Sequence, residues 1–286
     1  MVLINLWKES GKFKLGMLIT LFLLVAALLH NLLLRWAVGP DVDPMAAGSF
    51  GIFLDPQRDH LLGTDRFGRD VFSLVVIALP VSLTVAFLAG AISTAIGVVM
   101  GFFSGFIGGL TDSILRTFTD MFIVIPTLPL IIILAANTYN LGSVKLALFL
   151  AAFSWPAAAR VIRSQVLSLR ERPYIELSRM TNLSNREIIV GDILPNMAPY
   201  VAIGFAQASV GSAFALVGLT VLGIGPSSQM DLGRIISEAL GYGVISLGKE
   251  WIFIAPVALL ILLFLGLALI SQGMEEFFNP RLRSQS

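Results

Sequence analysis

Runs of about twenty apolar residues recur along this chain, and each is long enough to cross the hydrocarbon core of a bilayer as one helix. Only 13% of the residues are charged. A soluble domain carries about 25%, so there are too few charges here to cover a water-facing surface. The reading is an all-α integral membrane protein. Six spans are expected, at roughly Leu15 to Val38, Val81 to Phe103, Ile114 to Ala136, Ser143 to Val161, Met197 to Ile224 and Trp251 to Ser271. An amphipathic lead-in from Val71 precedes the second. The basic N-terminal segment runs into the first span with no small-residue cleavage site, which reads as an uncleaved spanning helix.

Six spans put both termini on one side. With the N-terminus inside, the inner segments hold Lys8, Lys12, Lys14, Arg116, Arg160, Arg163, Arg170, Arg172, Arg179, Arg186, Arg281 and Arg283. The outer ones hold Arg35, Arg58, Arg66, Arg69, Lys145, Arg234 and Lys249. Cytoplasmic loops carry the excess of Lys and Arg, so both termini are expected in the cytoplasm. The organisation is then a cytoplasmic N-terminus and first span (1–38), an extracytoplasmic segment (39–80), a transmembrane core (81–271) with a long inner segment (162–196), and a cytoplasmic tail (272–286).

Several chemistries are excluded. The chain has no Cys, so no thiolate site or disulfide, and its two His, His30 and His60, are far apart in sequence. A net charge of +1 carries no message about nucleic acid. No phosphate-binding loop, H-E-x-x-H or G-x-S-x-G motif is present. If the protein does energised work, the energy comes from an ion gradient or from another chain.

Polar and small residues in the spans read mostly as packing. Gly97, Gly101, Gly105 and Gly109 recur every four residues, a stripe that lets a neighbouring backbone approach. Pro126 and Pro129 can kink the third span, and bundle curvature is the preferred explanation. Asp120 stands four residues after Arg116, which reads as an interfacial pair. Gln207 either bonds across helices or faces a water-filled path.

The polar stretch "ELSRMTNLSNREIIVGDILPN", 176–196, is different. Pro173 suits the first turn of a short helix, in which Glu176 and Arg179 are an i, i+3 pair. Asn182 tolerates the left-handed conformation that ends helices. Ser184 and Glu187 are spaced as a capping box that starts a second helix. That helix is expected to run to about Leu194, with Val190, Ile193 and Leu194 on one face, before Pro195 breaks it or opens the fifth span. Loops between spans are usually a few residues long. A helical pair with its own stop and start signals reads as a docking element for another protein.

These residues resemble the E-A-A, G, I-x-L-P segment of the membrane subunits of bacterial ABC importers. The match falls on Glu176, Arg179, Ser184, Ile188, Ile189, Ile193, Leu194, Pro195 and Asn196. It departs at Leu177 and Ser178, where relatives carry Ala-Ala, and at Asn182, where they carry Gly. "HLLGTDRFGRDVFS" (60–73), "WPAAARVIRSQVLSLRERPYIE" (155–176) and "NPRLR" (279–283) resemble signatures of the dipeptide, oligopeptide and nickel permeases. The tail and "GTDRFGRDV" are similar to the second, C-type, subunit of the pair.

The resemblance implies a type I importer permease fold in a bacterial or archaeal cytoplasmic membrane. It implies a homologous second permease, two ATP-binding subunits that carry ATP and Mg, and an extracytoplasmic substrate-binding protein. No cofactor or catalysis is implied for this chain. Its coupling residues would be Glu176, Leu177, Ser178, Arg179, Asn182, Ser184, Glu187 and Pro195. The cargo would be peptide, or a related solute such as oligosaccharide or a nickel complex. The alternative is a secondary transporter or channel, which would need no inner docking pair and more often places ionisable residues at mid-membrane.

Overall fold

The computed structural model describes the backbone of residues 2–278 apart from 41, 182, 185, 186 and 227, and their side chains apart from 2–5 and 179. Among the described residues the regular elements are all helical, with two isolated bridges and no strand. The helices are α1 (Val2–Glu9), α2 (Gly11–Leu28), α3 (His30–Ala37), α4 (Val71–Ile107), α5 (Gly109–Val124), α6 (Thr127–Ala136), α7 (Ser143–Arg170) and α8 (Pro173–Met180). A π turn (Ile188–Ile193) leads into α9 (Leu194–Val221), followed by α10 (Leu232–Gly241) and α11 (Trp251–Phe278).

Five elements are long and apolar enough to cross a membrane: α2, α4, α7, the continuous helix from Ile188 to Val221, and α11. The sixth expected span is the pair α5 and α6, bent by 74°. Gentle curvature does not describe it. Ile125 and Pro126 both leave the helical conformation, with ψ of 123° and 103°. Pro126 disfavours a helical residue before it and has no N–H to carry the ladder across.

The first span also differs from expectation. It starts at Gly11, because the Ser10 hydroxyl accepts from the Phe13 N–H at 3.1 Å and caps it. It breaks at Leu29, beside His30, whose Nδ1 lies 2.8 Å from the Ala27 carbonyl oxygen. Lys12 Nζ is 2.5 Å from Glu276 Oε1, so α2 begins where α11 ends. That arrangement requires an even number of crossings between them.

The stretch from Val71 is no surface lead-in. It is the first part of α4, and Val71, Leu74, Val75 and Ala78 are buried in the main core with α2, α9, α10 and α11. Gly97, Gly101 and Gly105 face α7, where a Cβ on Gly101 would press on the Ala159 carbonyl and sit 2.9 Å from the Arg163 nitrogen. Gly109 is not part of this stripe. It opens α5 at φ 58° with open space around it.

The segment between α3 and α4 is tied down by "GTDRFGRD". Thr64 Oγ1 accepts from Leu54 N–H at 2.8 Å and donates to the Gly51 carbonyl at 2.5 Å. Asp65 accepts from the Phe67 and Arg69 N–H groups at 2.8 and 2.9 Å. The Arg69 guanidinium bridges Asp65 and Glu238, the latter on α10, at 2.5 Å each. Asp70 caps α4 through Ser73 and lies 3.1 Å from His60 Nδ1. Lys249 pairs with Asp55. The segments 39–70 and 222–250 therefore lie together at one end of the bundle, and α8 lies at the other.

Asp231 caps α10 by accepting from Gly233 and Arg234 N–H at 2.9 and 3.2 Å. It is fully buried, and among the described residues its Oδ2 has no hydrogen-bond partner. Burial pushes its carboxyl up to about 6. The folded state therefore holds a proton that the unfolded chain has released. Stability from this site is present at acid pH and falls as pH rises from the ordinary value of 3.8 to about 6. The loss is on the order of 3 kcal/mol, at about 1.4 kcal/mol per pKa unit. Asn keeps the capping oxygen and cannot ionise. Unfolding midpoints of D231N in detergent are expected to lack the decline that wild type shows between pH 4 and 7. Identical slopes would remove Asp231 as its source.

Candidate functional site

The α8 end carries a compact helical pair. Pro173 opens α8 with no N–H to satisfy. After the break, Ser184 and Glu187 form the capping box: Ser184 N–H and Oγ both donate to Glu187 Oε2 at 2.7 Å, and Glu187 N–H donates to Ser184 Oγ at 3.3 Å. These bonds hold the Glu187 carboxyl below its ordinary value, chiefly through the Ser184 hydroxyl. The cap is therefore intact above the ordinary carboxylate range and is lost as pH falls through the lowered value.

The second helix does not stand apart. It passes through the π turn into α9, with Leu194 N–H bonding to Ile189 O, five residues back. Pro195 sits in the first turn of α9 and does not break the helix. The wider turn also changes the faces. Ile193 is buried, whereas Val190 and Leu194 are 66% and 42% exposed, so the three do not share one face.

Buried apolar residues root the pair. Ile175, Ile188 and Ile193 pack with Val166 and Leu169 of α7, Phe102 of α4 and Met197 of α9. Ser178 adds a polar tie. Its hydroxyl donates at 2.8 Å to Asp192 Oδ2, across the gap between the two helices. The departure from Ala at Ser178 thus has an internal partner. Asp192 escaped the sequence reading; its signal is its position one residue before the I-L-P run.

Above this root lies an exposed apolar surface: Leu177, Met180, Leu183, Val190 and Leu194. Glu176 is exposed beside it. Arg179 belongs to α8, but its side chain lies outside the described residues, as do Asn182 and the 279–283 tail. Their expected roles as ion-pair partner, turn residue and family signature stand on sequence alone.

The second feature is a cavity of about 1000 Å³ bounded by α4, α5, α6, α7, α9 and α11. Gln207 lines it, as do Thr94, Ser154, Gln165 and Tyr200, among apolar neighbours such as Phe122, Phe153 and Ile131. Cavities of this size that are mostly apolar, with a few fixed polar groups, are the usual form of small-ligand sites. Gln165 and Tyr200 were not legible beforehand, since α7 and α9 meet only in the fold.

The architecture is a multi-pass helical bundle with a large cavity between its helices and an exposed, rooted helical pair at one end. The comparisons with known proteins agree. Residues 97–284 match the family described as binding-protein-dependent transport system inner membrane component, and the chain belongs to that family. It is similar to an "Oligopeptide transport system permease protein OppC" of Mycobacterium tuberculosis, 31% identical over 80% of this chain and 78% of the relative. A protein of the same name in Lactococcus lactis subsp. cremoris is 27% identical over 96% of this chain and 93% of the relative. It is thus a permease component of a binding-protein-dependent ABC importer, in the membrane rather than at its surface.

Proposed function

We propose that this chain is the C-type permease of a peptide importer, forming half of the path with a homologous second permease. The importer has two ATP-binding subunits, carrying ATP and Mg, and one of them docks on α8 and the segment that follows it. An extracytoplasmic binding protein delivers the peptide at the end that holds segments 39–70 and 222–250. Both termini are cytoplasmic, and this chain itself performs no catalysis. The peptide assignment rests on the relatives named oligopeptide permeases. The cavity suits it, because Gln165, Gln207 and Tyr200 offer donors and acceptors for peptide bonds without selecting a side-chain charge.

The observation that carries docking is the apolar surface of Leu177, Met180, Leu183, Val190 and Leu194, standing on buried isoleucines. An exposed apolar patch on rigid footing marks an interaction site. Glu176 supplies the charge at its edge. Substitution Glu176→Lys leaves the root untouched and reverses that charge. ATPase subunits are expected to co-purify about tenfold less with E176K, as an affinity loss of about 1.4 kcal/mol dictates. Peptide-stimulated ATP hydrolysis should fall with it. Unchanged recovery and unchanged stimulation would speak against docking at this surface.

A further inference from the structure

A second, smaller cavity of about 380 Å³ lies between α4, α5 and α7, apart from the large one. Arg116, Asp120, Arg160 and Arg163 line it, together with Gly101 and Ser104 of α4. Asp112 is fully engaged elsewhere: Arg163 Nε and Nη2 donate to its two oxygens at 2.6 Å each, and Ser104 also donates to it. Asp120 is left to two arginines, Arg160 at 2.8 Å and Arg116 at 3.7 Å. Three guanidinium groups thus face two carboxylates, and the surplus positive charge sits at the mouth. The Arg116 and Arg160 side chains there are 65% and 61% exposed.

Depth matters as much as charge. Arg160 follows the start of α7 at Ser143 by about 26 Å, at about 1.5 Å per residue. The hydrocarbon core is about 30 Å thick. The mouth therefore lies near the boundary between acyl chains and headgroups, on the side of α8. Exposed apolar side chains flank it on the same elements, among them Phe103 and Ile107 of α4 and Ile114 of α5. A free anion needs only the guanidinium groups. Acyl chains need the apolar flank as well, and both are present.

We infer that this cavity is a binding site for the phosphate headgroup of an anionic phospholipid, held by Arg116 and Arg160 with its chains against α4 and α5. Arg163 is committed to Asp112 and serves as the fixed wall. Asp120 competes with the phosphate for the same two arginines. Basic pockets between transmembrane helices bind anionic headgroups in this way. The lipid would brace α5, the first half of the bent span, against α4 and α7.

The test uses the full chain in its transporter complex, in nanodiscs containing phosphatidylglycerol and phosphatidylcholine, with retained lipid read by native mass spectrometry. Wild type is expected to retain phosphatidylglycerol selectively. Retention should fall about fivefold for each arginine removed, in R116Q and R160Q. The variant K8Q, which removes an exposed cation elsewhere, should match wild type. Substitution Asp120→Asn removes the competitor and should raise retention, an outcome that misfolding does not produce. Equal retention of the two lipids, or no response to R116Q and R160Q together, overturns the inference. So does displacement of the bound lipid by millimolar inorganic phosphate, which would make the site one for a free anion.

Discussion

Substitution Arg69→Ala is expected to destabilise the protein by about 3–5 kcal/mol, the usual consequence of removing one partner from a buried ion pair. Arg69 is 7% exposed and holds two carboxylates, Asp65 and Glu238, from segments far apart in sequence. Removing it leaves both carboxylates without their shared cation. It also frees the 39–70 segment from α10, since the pair is the main polar link between them. Lysine should recover only part of the loss, because it lacks the fork that spans two acceptors. Unfolding midpoints in detergent measure this directly. Arg58, exposed on the same segment, is the control, and R58A should stay within about 0.5 kcal/mol of wild type. An R69A variant as stable as R58A would mean that the ion pair does not hold the segment.

Substitution Gly101→Leu should be at least as damaging. A Cβ at this position already meets the backbone of α7 at Ala159 and Arg163, and backbone cannot rotate out of the way. The α4 and α7 axes must separate, which opens the packing of Gly97 and Gly105 as well. Overpacking a well-filled site costs about 1–3 kcal/mol, and a clash with backbone belongs at or beyond the upper end. Gly109→Leu is the internal comparison. No atom lies within 4 Å of its Cβ position, but its φ of 58° strains any L residue by about 1–2 kcal/mol. The clash separates the two: G101A should already be destabilising, because its Cβ alone meets backbone, and G101L more so, while G109A and G109L should be alike. Folded yield and thermal midpoint in detergent decide it.

The spans were legible because each is a long apolar run, and the capping box was legible because Ser184 and Glu187 carry their geometry in a three-residue spacing. Boundaries moved where a local feature outweighed hydropathy. Ser10 starts α2 four residues before the apolar run suggested, and Asp70 starts α4 within the outer segment. The sharp bend at Pro126 was underestimated, because a proline states where a helix weakens but not how far it turns. The π turn was invisible, because its bond from Leu194 N–H to Ile189 O, five residues back, has no residue signature in the sequence. Ion pairs across the fold were also hidden. Arg163 with Asp112 and Arg69 with Glu238 join residues 51 and 169 positions apart, and no local pattern announces them. Ser178 was read only as a departure from the family's Ala, and in the fold its hydroxyl bonds to Asp192.

Docking of an ATP-binding subunit on the α8 surface would drive the importer through this chain. Site-specific photocrosslinking from Leu177 in whole cells tests it most directly, with Ser49 as the position at the opposite end of the bundle. Leu177 is 63% exposed and makes no part of the buried root, so the crosslinking side chain is accommodated. An adduct is expected between position 177 and an ATP-binding subunit, and none from position 49. An adduct to that subunit from 49, with none from 177, would contradict both the docking surface and the orientation of the chain.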